Sequence, residues 1–535
     1  MHSPRLLTNP YPYPDMNKTS TILPTLFISL LIATSPAGAA IHAVENFGLV
    51  DIEISSDSDK ASNEIREGFR LSKKGLHEQA FKMFTAAAKR GELNAYLAIA
   101  VMHREGRGTP KNLKLAMVNF KKAAAMGSKP AGEELVFLRF ASPDNPKDFA
   151  YARTQLEGFA RRGMAVAQLR LGLSHLAGYG YPADATKAIK YLTQAAQSSG
   201  PFQSDAAFVL GKLYRDGDPK TKVKPDMKLA ESWLKKAAEA KHPGAMRALG
   251  EFYLSADPAR QNFSKARDWF SRLNQLGDSY GLYYLGQIHE NGWGTVKSQE
   301  TALDYYRQGA KQKVPPAIYR LATFHEHGLG GLKKDKGKAL ALYRYGAELE
   351  HAVCMYNLSV MLDTMDEKPK HKAEVLLWLL RSAGAGLVEA EYQIGVRYQQ
   401  GNGVQQDLVA AAAWFDRAAR NSHAQAQLQL GGMYEKGQGV SRDLSAARRL
   451  FELSAKGGNL GGRIKYAEVL ANGVGGKQDL IEAYIHAHNA TQLVSQNSPA
   501  AKLAIKVRDD LYVAMSPEQL TEGKKRLAAG QKPKP

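Results

Sequence analysis

The dipeptide Leu430-Gly431, set in Ala-x-x-x-Leu-Gly-x-x-Tyr-x-x-Gly-x-Gly, returns along almost the whole chain at a period near 36 residues. With Gly431 as origin, the equivalent positions are Glu64, Ala100, Val136, Gly172, Gly211, Gly250, Gly286, Ala322, Ser359, Gly395 and Ala467, most of them 36 residues apart, two 39 and one 37. Such a period predicts an all-α, right-handed α-α superhelical solenoid of about twelve helical hairpins, because one hairpin cannot bury its apolar face and stacked neighbours can. No long stretch alternates apolar and polar residues as a strand would. A chain of 535 residues would ordinarily imply several globular domains. The repeat instead predicts one elongated array, with stability spread over neighbouring interfaces. Arrays of this kind bind partners and rarely turn over substrates.

Sixteen residues past the anchor stands an alanine, at Ala80, Ala116, Ala152, Ala188, Ala266, Ala302, Ala411, Ala447 and Ala483, with Ala230 and Ala339 displaced by insertions and Val375 the exception. Small side chains at fixed points let two helix axes approach closely, so these are expected contacts between helices. Three and four residues further on come large ones, such as Trp233-Leu234, Trp269-Phe270, Tyr305-Tyr306 and Trp414-Phe415. Each, when fully buried, contributes roughly 1.5–3 kcal/mol. Between the two helices, Gly-x-Gly pairs such as Gly106/Gly108 and Gly437/Gly439 supply the positive φ at which the first helix ends. A phosphate-cradling loop would occur once and would follow a strand, unlike these repeated pairs.

The pattern Ala426-x-x-x-Leu430-Gly431-x-x-Tyr434-x-x-Gly437-x-Gly439-Val440-x-x-Asp443, followed by Ala447 and Phe451, resembles the Sel-one-like repeat (SLR), a relative of the tetratricopeptide repeat. The resemblance covers residues 60 to 490 or so. The unit anchored at Val136 lacks the glycines and that at Ser359 has Met365 in place of one, so both are expected to keep their helices and change the connecting turn. Glu64 to Gly91 reads as an N-terminal capping unit. Pro499 to Met515 reads as a helix, and Ser516-Pro517-Glu518-Gln519 opens another with a serine cap, proline in the first turn and glutamine three on. The stretch Arg508-Asp509-x-Leu511-x-x-x-Met515-Ser516-Pro517-Glu518-Gln519-Leu520 resembles the ending of bacterial SLR proteins, which implies a bacterial envelope protein.

At the N-terminus, Lys18 precedes an apolar run from Ile22 to Ala33, and Ala37-Gly38-Ala39 follows as a small-residue cleavage signal. This is the pattern of a secretory signal peptide. The proline-bearing residues before it fit no part of such a signal, so translation is expected to start at Met16. Twelve apolar residues fall short of the ~20 that span a bilayer, and no second candidate follows. The expected organisation is residues 1–39 signal peptide, 40–59 flexible leader, 60–94 capping unit, 95–490 repeats, 491–529 capping helices and 530–535 a disordered tail. The mature protein is expected to be exported, to the periplasm or beyond, with no transmembrane segment. The sole cysteine, Cys354, stands where other units place alanine and reads as a buried packing residue that nothing in the sequence pairs with a base. One cysteine forms no intramolecular disulfide, so packing must suffice.

The formal net charge is +20, and residues 1–39 carry Arg5 and Lys18 against Asp15, which leaves +19 on the remainder. Such an excess attracts acidic polysaccharide, peptidoglycan, anionic lipid or an acidic protein. An exported chain seldom meets nucleic acid, so none is expected as a partner. Dispersed as the lysines and arginines are, solubility alone is the plainer explanation.

Histidines give no metal site. His103, His175, His289 and His325 fall three residues after an anchor, where Tyr214, Tyr253, Tyr398 and Tyr434 stand in sister units, and replace a partly buried aromatic with a polar tip. In His325-Glu326-His327 and His486-Ala487-His488 the two rings project about 200° apart on a helix. No His-Glu-x-x-His, Walker loop or Gly-x-Ser-x-Gly elbow occurs, so neither a catalytic site nor a cofactor is expected. The candidate site is a stripe. Positions two before, one after and five after the anchor share one face of the first helix and hold Arg170, Lys212, Asp216, Tyr284, Gln287, Asn291, Arg320, His327, Gln393, Gln400, Gln429 and Lys436. First helices usually line the concave side of such superhelices, so Arg170, Lys212, Tyr284, Gln287, Arg320, Gln393, Gln429 and Lys436 are the expected partner-binding residues. A plain solvated face is the alternative.

The resemblance implies a scaffold that holds protein partners in envelope signalling, polysaccharide export or cell-wall enzyme control. The charge suggests a different class, a binder of peptidoglycan or acidic polysaccharide. Cysteine-rich members of the family are linked to β-lactam hydrolysis, but they staple each repeat with a cysteine pair that this chain lacks.

Overall fold

The computed structural model describes residues 62–141, 146–200, 202–255, 257–365, 369–492 and 499–530. The expected signal peptide, leader and final residues 531–535 lie outside the described residues. Among those described there are twenty-six helices, from Asn63–Lys73 to Pro517–Ala528, and one isolated antiparallel bridge between Asp218 and Val223. The chain divides after Leu276 into two compact units. Within each, successive helices pack as hairpins, the first helix of a repeat against its second and the second against the first helix of the next repeat. None of the described helices is long and apolar enough to cross a membrane.

The repeat anchored at Gly431 shows why these residues form a hairpin. Its first helix, Ala424–Lys436, is capped by His423, whose Nδ1 accepts from the Ala426 N–H at 3.1 Å. The helix ends at Gly437, φ 69°, whose N–H returns to the Met433 carbonyl. Asp443 then opens Leu444–Lys456, its carboxylate accepting from the N–H groups of Ser445 and Ala446 at 2.9 Å. The N–H of Asp443 donates to the carbonyl of Tyr434 at 3.1 Å, which ties the turn back to the first helix. The same side-chain cap recurs at Asn112, Asp184, Asp226, Asn262, Ser298, Asp335, Asp407 and Asp479. Each such cap is worth about 1 kcal/mol.

The spaced alanines from Ala80 to Ala483 are all buried, as is Val375. Opposite them the anchor glycine makes room for the large residue of its own second helix. A Cβ on Gly250 would stand 2.3 Å from the Phe270 ring, and one on Gly431 2.7 Å from Phe451. The core is consequently local and renewed in each repeat. Ile65, Phe84 and Ile99 pack the first hairpin against the first helix of the next repeat; Tyr343, Leu358 and Trp378 fill the middle of the second unit; Phe451, Tyr484, Leu511 and Met515 join the last repeat to the C-terminal helices. The repeats at Val136 and Ser359 keep both helices, Lys129–Ala141 with Pro146–Arg161 and Ala352–Met365 with Pro369–Gly384. The turns between them, where the change was expected, lie outside the described residues. At the C-terminus Pro499–Ala514 is a helix and Ser516 heads the next with a complete capping box to Gln519.

In the repeat anchored at Gly431 the second glycine of the turn carries two constraints. Gly439 has φ 71°, and a Cβ there would lie 2.1 Å from the Leu408 carbonyl oxygen, at the start of the preceding repeat's second helix. Gly437 has a similar φ, but its Cβ would come no closer than 3.4 Å to a neighbour, the Cβ of Arg442 in its own turn. Gly437→Ala is therefore expected to cost about 1–2 kcal/mol from backbone strain alone. Gly439→Ala should cost a further ~1–3 kcal/mol because two backbones must part. Urea denaturation of the two variants measures this difference, and equal losses would rule out the inter-repeat contact as its source.

Candidate docking face

The predicted stripe does not stay together as one solvated surface. Arg170, Gln287 and Arg320 are buried; Lys212, Asp216, Tyr284, Gln393 and Gln429 are half-buried; Asn291, His327, Gln400 and Lys436 are exposed. The expectation of an open recognition groove through Arg170, Gln287 and Arg320 is thus corrected. Neighbouring helices bury or half-bury the positions two before and one after the anchor, and the position five after it, at the helix C-terminus, is half-buried at Asp216 and exposed at Asn291, His327, Gln400 and Lys436.

The covered residues are bound into the stack. Gln287 Nε2 donates to the Tyr283 hydroxyl at 2.9 Å, and Gln393 Nε2 donates to Glu389 at 3.0 Å. Tyr284 lies edge-on to Tyr283, with centroids 5.1 Å apart. Lys212 lies over the Phe208 ring at 5.9 Å, and burial, with Arg215 adding repulsion, lowers its pKa. Asp216 pairs with Arg215 at 2.7 Å. Arg320 pairs with Glu290, which also accepts the Tyr306 hydroxyl at 2.7 Å. In the next repeat Tyr343 donates to Glu326 at 2.7 Å in the same way.

An inter-repeat register that the sequence reading missed organises these polar groups. The residue four after one anchor meets the residue two before the next, thirty positions on. Arg104 bonds Glu134 at 3.1 Å in this register, with exposures of 6% and 1%, and Glu290 bonds Arg320 with the charges exchanged. A second register, from six before one anchor to eight before the next, joins Glu389 to His423 at 2.9 Å and Gln425 to Asn459 at 2.6 Å, while Asp363, four after its anchor, meets Arg397, two after the next, at 2.6 Å. Comparing charge signs at fixed offsets between successive repeats would have revealed the first.

The exposed residues form one position per repeat in the second unit. Asn291, His327, Thr364, Gln400 and Lys436 each stand five after an anchor, in the last turn of Tyr280–Asn291, Pro315–His327, Ala352–Met365, Val388–Gln400 and Ala424–Lys436. Four of them directly precede the glycine that ends the helix, Gly292, Gly328, Gly401 or Gly437.

The histidines sit in packing. His103 is 5.2 Å from the Phe81 ring, His175 lies beside Tyr181 and Tyr191, and His289 stacks on Tyr305. Among the described residues no group of three or more His, Cys, Asp or Glu is placed to hold a metal ion. Cys354 is buried, but the sequence reading missed its neighbour: His351 Nδ1 lies 3.2 Å from the sulfur. Burial pushes the thiol well above its usual range and lowers His351 to about 4. Both groups are neutral at physiological pH, so the pair carries no thiolate.

The Sel1 repeat profile matches ten segments, residues 71–92, 93–128, 165–199, 204–242, 243–278, 279–314, 315–351, 388–423, 424–459 and 462–493. Relatives include chitin synthase regulatory factor 3 of Schizosaccharomyces pombe, 28% identical over 246 residues, 44% of this chain and 26% of that protein. The exopolysaccharide production negative regulator of Rhizobium leguminosarum bv. viciae is 26% identical over 183 residues, 34% of this chain and 58% of that protein. The chain thus spans less than two thirds of the length of either relative. Among solved structures, c5321, a protective antigen of uropathogenic Escherichia coli with an SLR fold, aligns with a TM-score of 0.44 at 24% identity, over 83% of this chain and 92% of that one.

Proposed function

This chain belongs to the Sel1 repeat family, and from that premise we propose that it is an exported scaffold of the bacterial cell envelope that holds protein partners. The observation that carries the docking face is the exposed position repeated at the C-termini of five successive first helices, Asn291 to Lys436. A row of polar side chains at a fixed repeat is suited to an extended segment of a partner, and a stack whose core is local offers such a row without a catalytic pocket. Two relatives are named as regulators of polysaccharide synthesis or production, which supports binding to the machinery of polysaccharide assembly rather than turnover. The apolar run Ile22 to Ala33 with Ala37-Gly38-Ala39 supports export.

The test uses the full chain and a variant with Asn291, His327, Gln400 and Lys436 all changed to alanine. Solvent-facing changes at these sites should leave helicity and unfolding close to wild type. Immobilised wild type is expected to retain a specific envelope protein, and the variant to retain it about tenfold less, a loss of ~1.4 kcal/mol. Equal retention would remove this face from docking. Recovery of the native protein in the cytoplasmic fraction would remove the export part of the proposal.

The net charge of +20 favours a second reading, in which the chain binds anionic glycan. Co-sedimentation with peptidoglycan that falls steeply as salt rises would support it, and salt-independent sedimentation would count against it.

A further inference from the structure

Arg170 differs from the other buried cations of the stack. It extends from Ala165–Ala177, is 9% exposed, and holds its guanidinium 4.6 Å from the Phe137 ring centroid. Its Nε and Nη2 are enclosed and have no acceptor. The thirty-residue register explains the vacancy. Glu290 serves Arg320 and Arg104 serves Glu134, but thirty residues before Arg170 stands Phe140, whose ring is engaged by Phe149 and Tyr179. Glu134 attracts Arg170 electrostatically and its Oε1 is likewise buried without a partner, but it makes no hydrogen bond to the Nε/Nη2 edge; its Oε2 is taken by Arg104, and Arg104 repels Arg170. Two guanidinium groups therefore face one buried carboxylate. Glu105 pairs with Arg104 on the outer side, at 2.7 Å, and does nothing for Arg170.

A guanidinium stays charged in a protein and carries its donors in a rigid fork. Nε–H and Nη2–H are the two donors on one edge of that fork, the edge that grips a carboxylate with two parallel bonds. In Arg170 it is this edge that lacks a partner.

We propose that Arg170 anchors a carboxylate-binding site, in which a carboxylate of a docked polypeptide takes the Nε/Nη2 edge above the Phe137 ring. The orphaned edge belongs to one guanidinium, and its single positive charge matches one carboxylate. The neighbouring Glu134 disfavours a dianion such as phosphate. The long stem of arginine lets the fork turn toward the surface as the ligand arrives. The site deepens the scaffold reading and rests on it, adding the chemistry that a partner must present at one point of the first unit.

The test titrates three probes into the full chain at constant ionic strength: an end-blocked tri-glutamate peptide, an end-blocked tri-glutamine peptide and sodium acetate. Binding is read by calorimetry and integrity by thermal unfolding, for wild type, Arg170→Leu and Arg170→Lys. Wild type is expected to prefer the glutamate peptide by about tenfold or more. Arg170→Leu should lose that preference while unfolding at or above the wild-type temperature, because an unpaired buried charge has gone. Arg170→Lys keeps a charge without the fork and should lose most of the preference, which separates the site from general attraction to a basic protein. Acetate that binds as tightly as the peptide, with the same dependence on Arg170, overturns the polypeptide as occupant in favour of a small free carboxylate. Equal affinities for the two peptides in wild type, or a preference that survives in both variants, overturns the site. If immobilised Arg170→Leu still retains envelope proteins as wild type does, only this site falls and the scaffold stands.

Discussion

Glu134→Gln is expected to destabilise the first unit by about 3–5 kcal/mol, the cost of removing one partner from a buried charge cluster. The carboxylate is 1% exposed, and both Arg104 and Arg170 act on it electrostatically. Burial raises its pKa, while Arg104 and then Arg170 oppose that rise, so the three groups depend on one another. Glutamine preserves shape and one acceptor but leaves Arg170 without its countercharge and Arg104 with Glu105 alone, on the outer side. Replacing all three together, by Arg104→Met, Glu134→Leu and Arg170→Leu, should instead be near neutral, within about 1–2 kcal/mol, because the desolvation cost disappears with the charges. Guanidinium denaturation of the single and triple variants distinguishes the two outcomes. A triple variant as unstable as Glu134→Gln would show that side-chain shape, not charge, governs the site.

Acidification from pH 7 to pH 4 is expected to weaken the second unit by up to about 6 kcal/mol. Burial lowers both His351 and His486 from 6.5 to about 4, so each is neutral in the folded chain and protonated in the unfolded chain between those values. Unfolding then takes up a proton at each site. The stabilisation is complete above pH 6.5 and is lost as pH falls through the window toward 4. A shift of this size is worth about 3 kcal/mol per histidine. His486 offers the sharper variant, since neither ring nitrogen has a hydrogen-bond partner and its ring lies edge-on to Tyr466 at 4.9 Å. Arg463 and Lys456 further lower its pKa and Glu452 raises it. His486→Phe should remove about half of the acid loss and leave neutral-pH stability unchanged or improved, as expected when a buried unsatisfied polar group is deleted. Unfolding curves at pH 7, 6, 5 and 4 check it, and an unaltered pH dependence would exclude His486 as a source.

The architecture was legible because each repeat writes its own local instructions. An aspartate or asparagine cap such as Asp443, the left-handed glycine at Gly437, the buried alanine at Ala447 and the aromatic at Phe451 act over short separations along the chain, and they recur often enough for a single unit to be checked against its sisters. The division after Leu276 was not legible, nor was the fate of the stripe. Helical periodicity places Arg170, Arg320 and Lys436 on one face, but it does not say which neighbour will cover it.

Sequence alone determined the helices, their caps and the order of the hairpins, since hydrogen bonds and steric limits within some twenty residues decide these. Tertiary structure alone decided which charges meet. Glu290 reaches Arg320 and Arg104 reaches Glu134 only when one repeat is laid against the next, whereas Arg170, at the same register, finds an aromatic ring. The physical reason is that burial and pairing depend on the separation between repeats, and a charge removed from water is governed by what stands opposite it rather than by its neighbours in sequence.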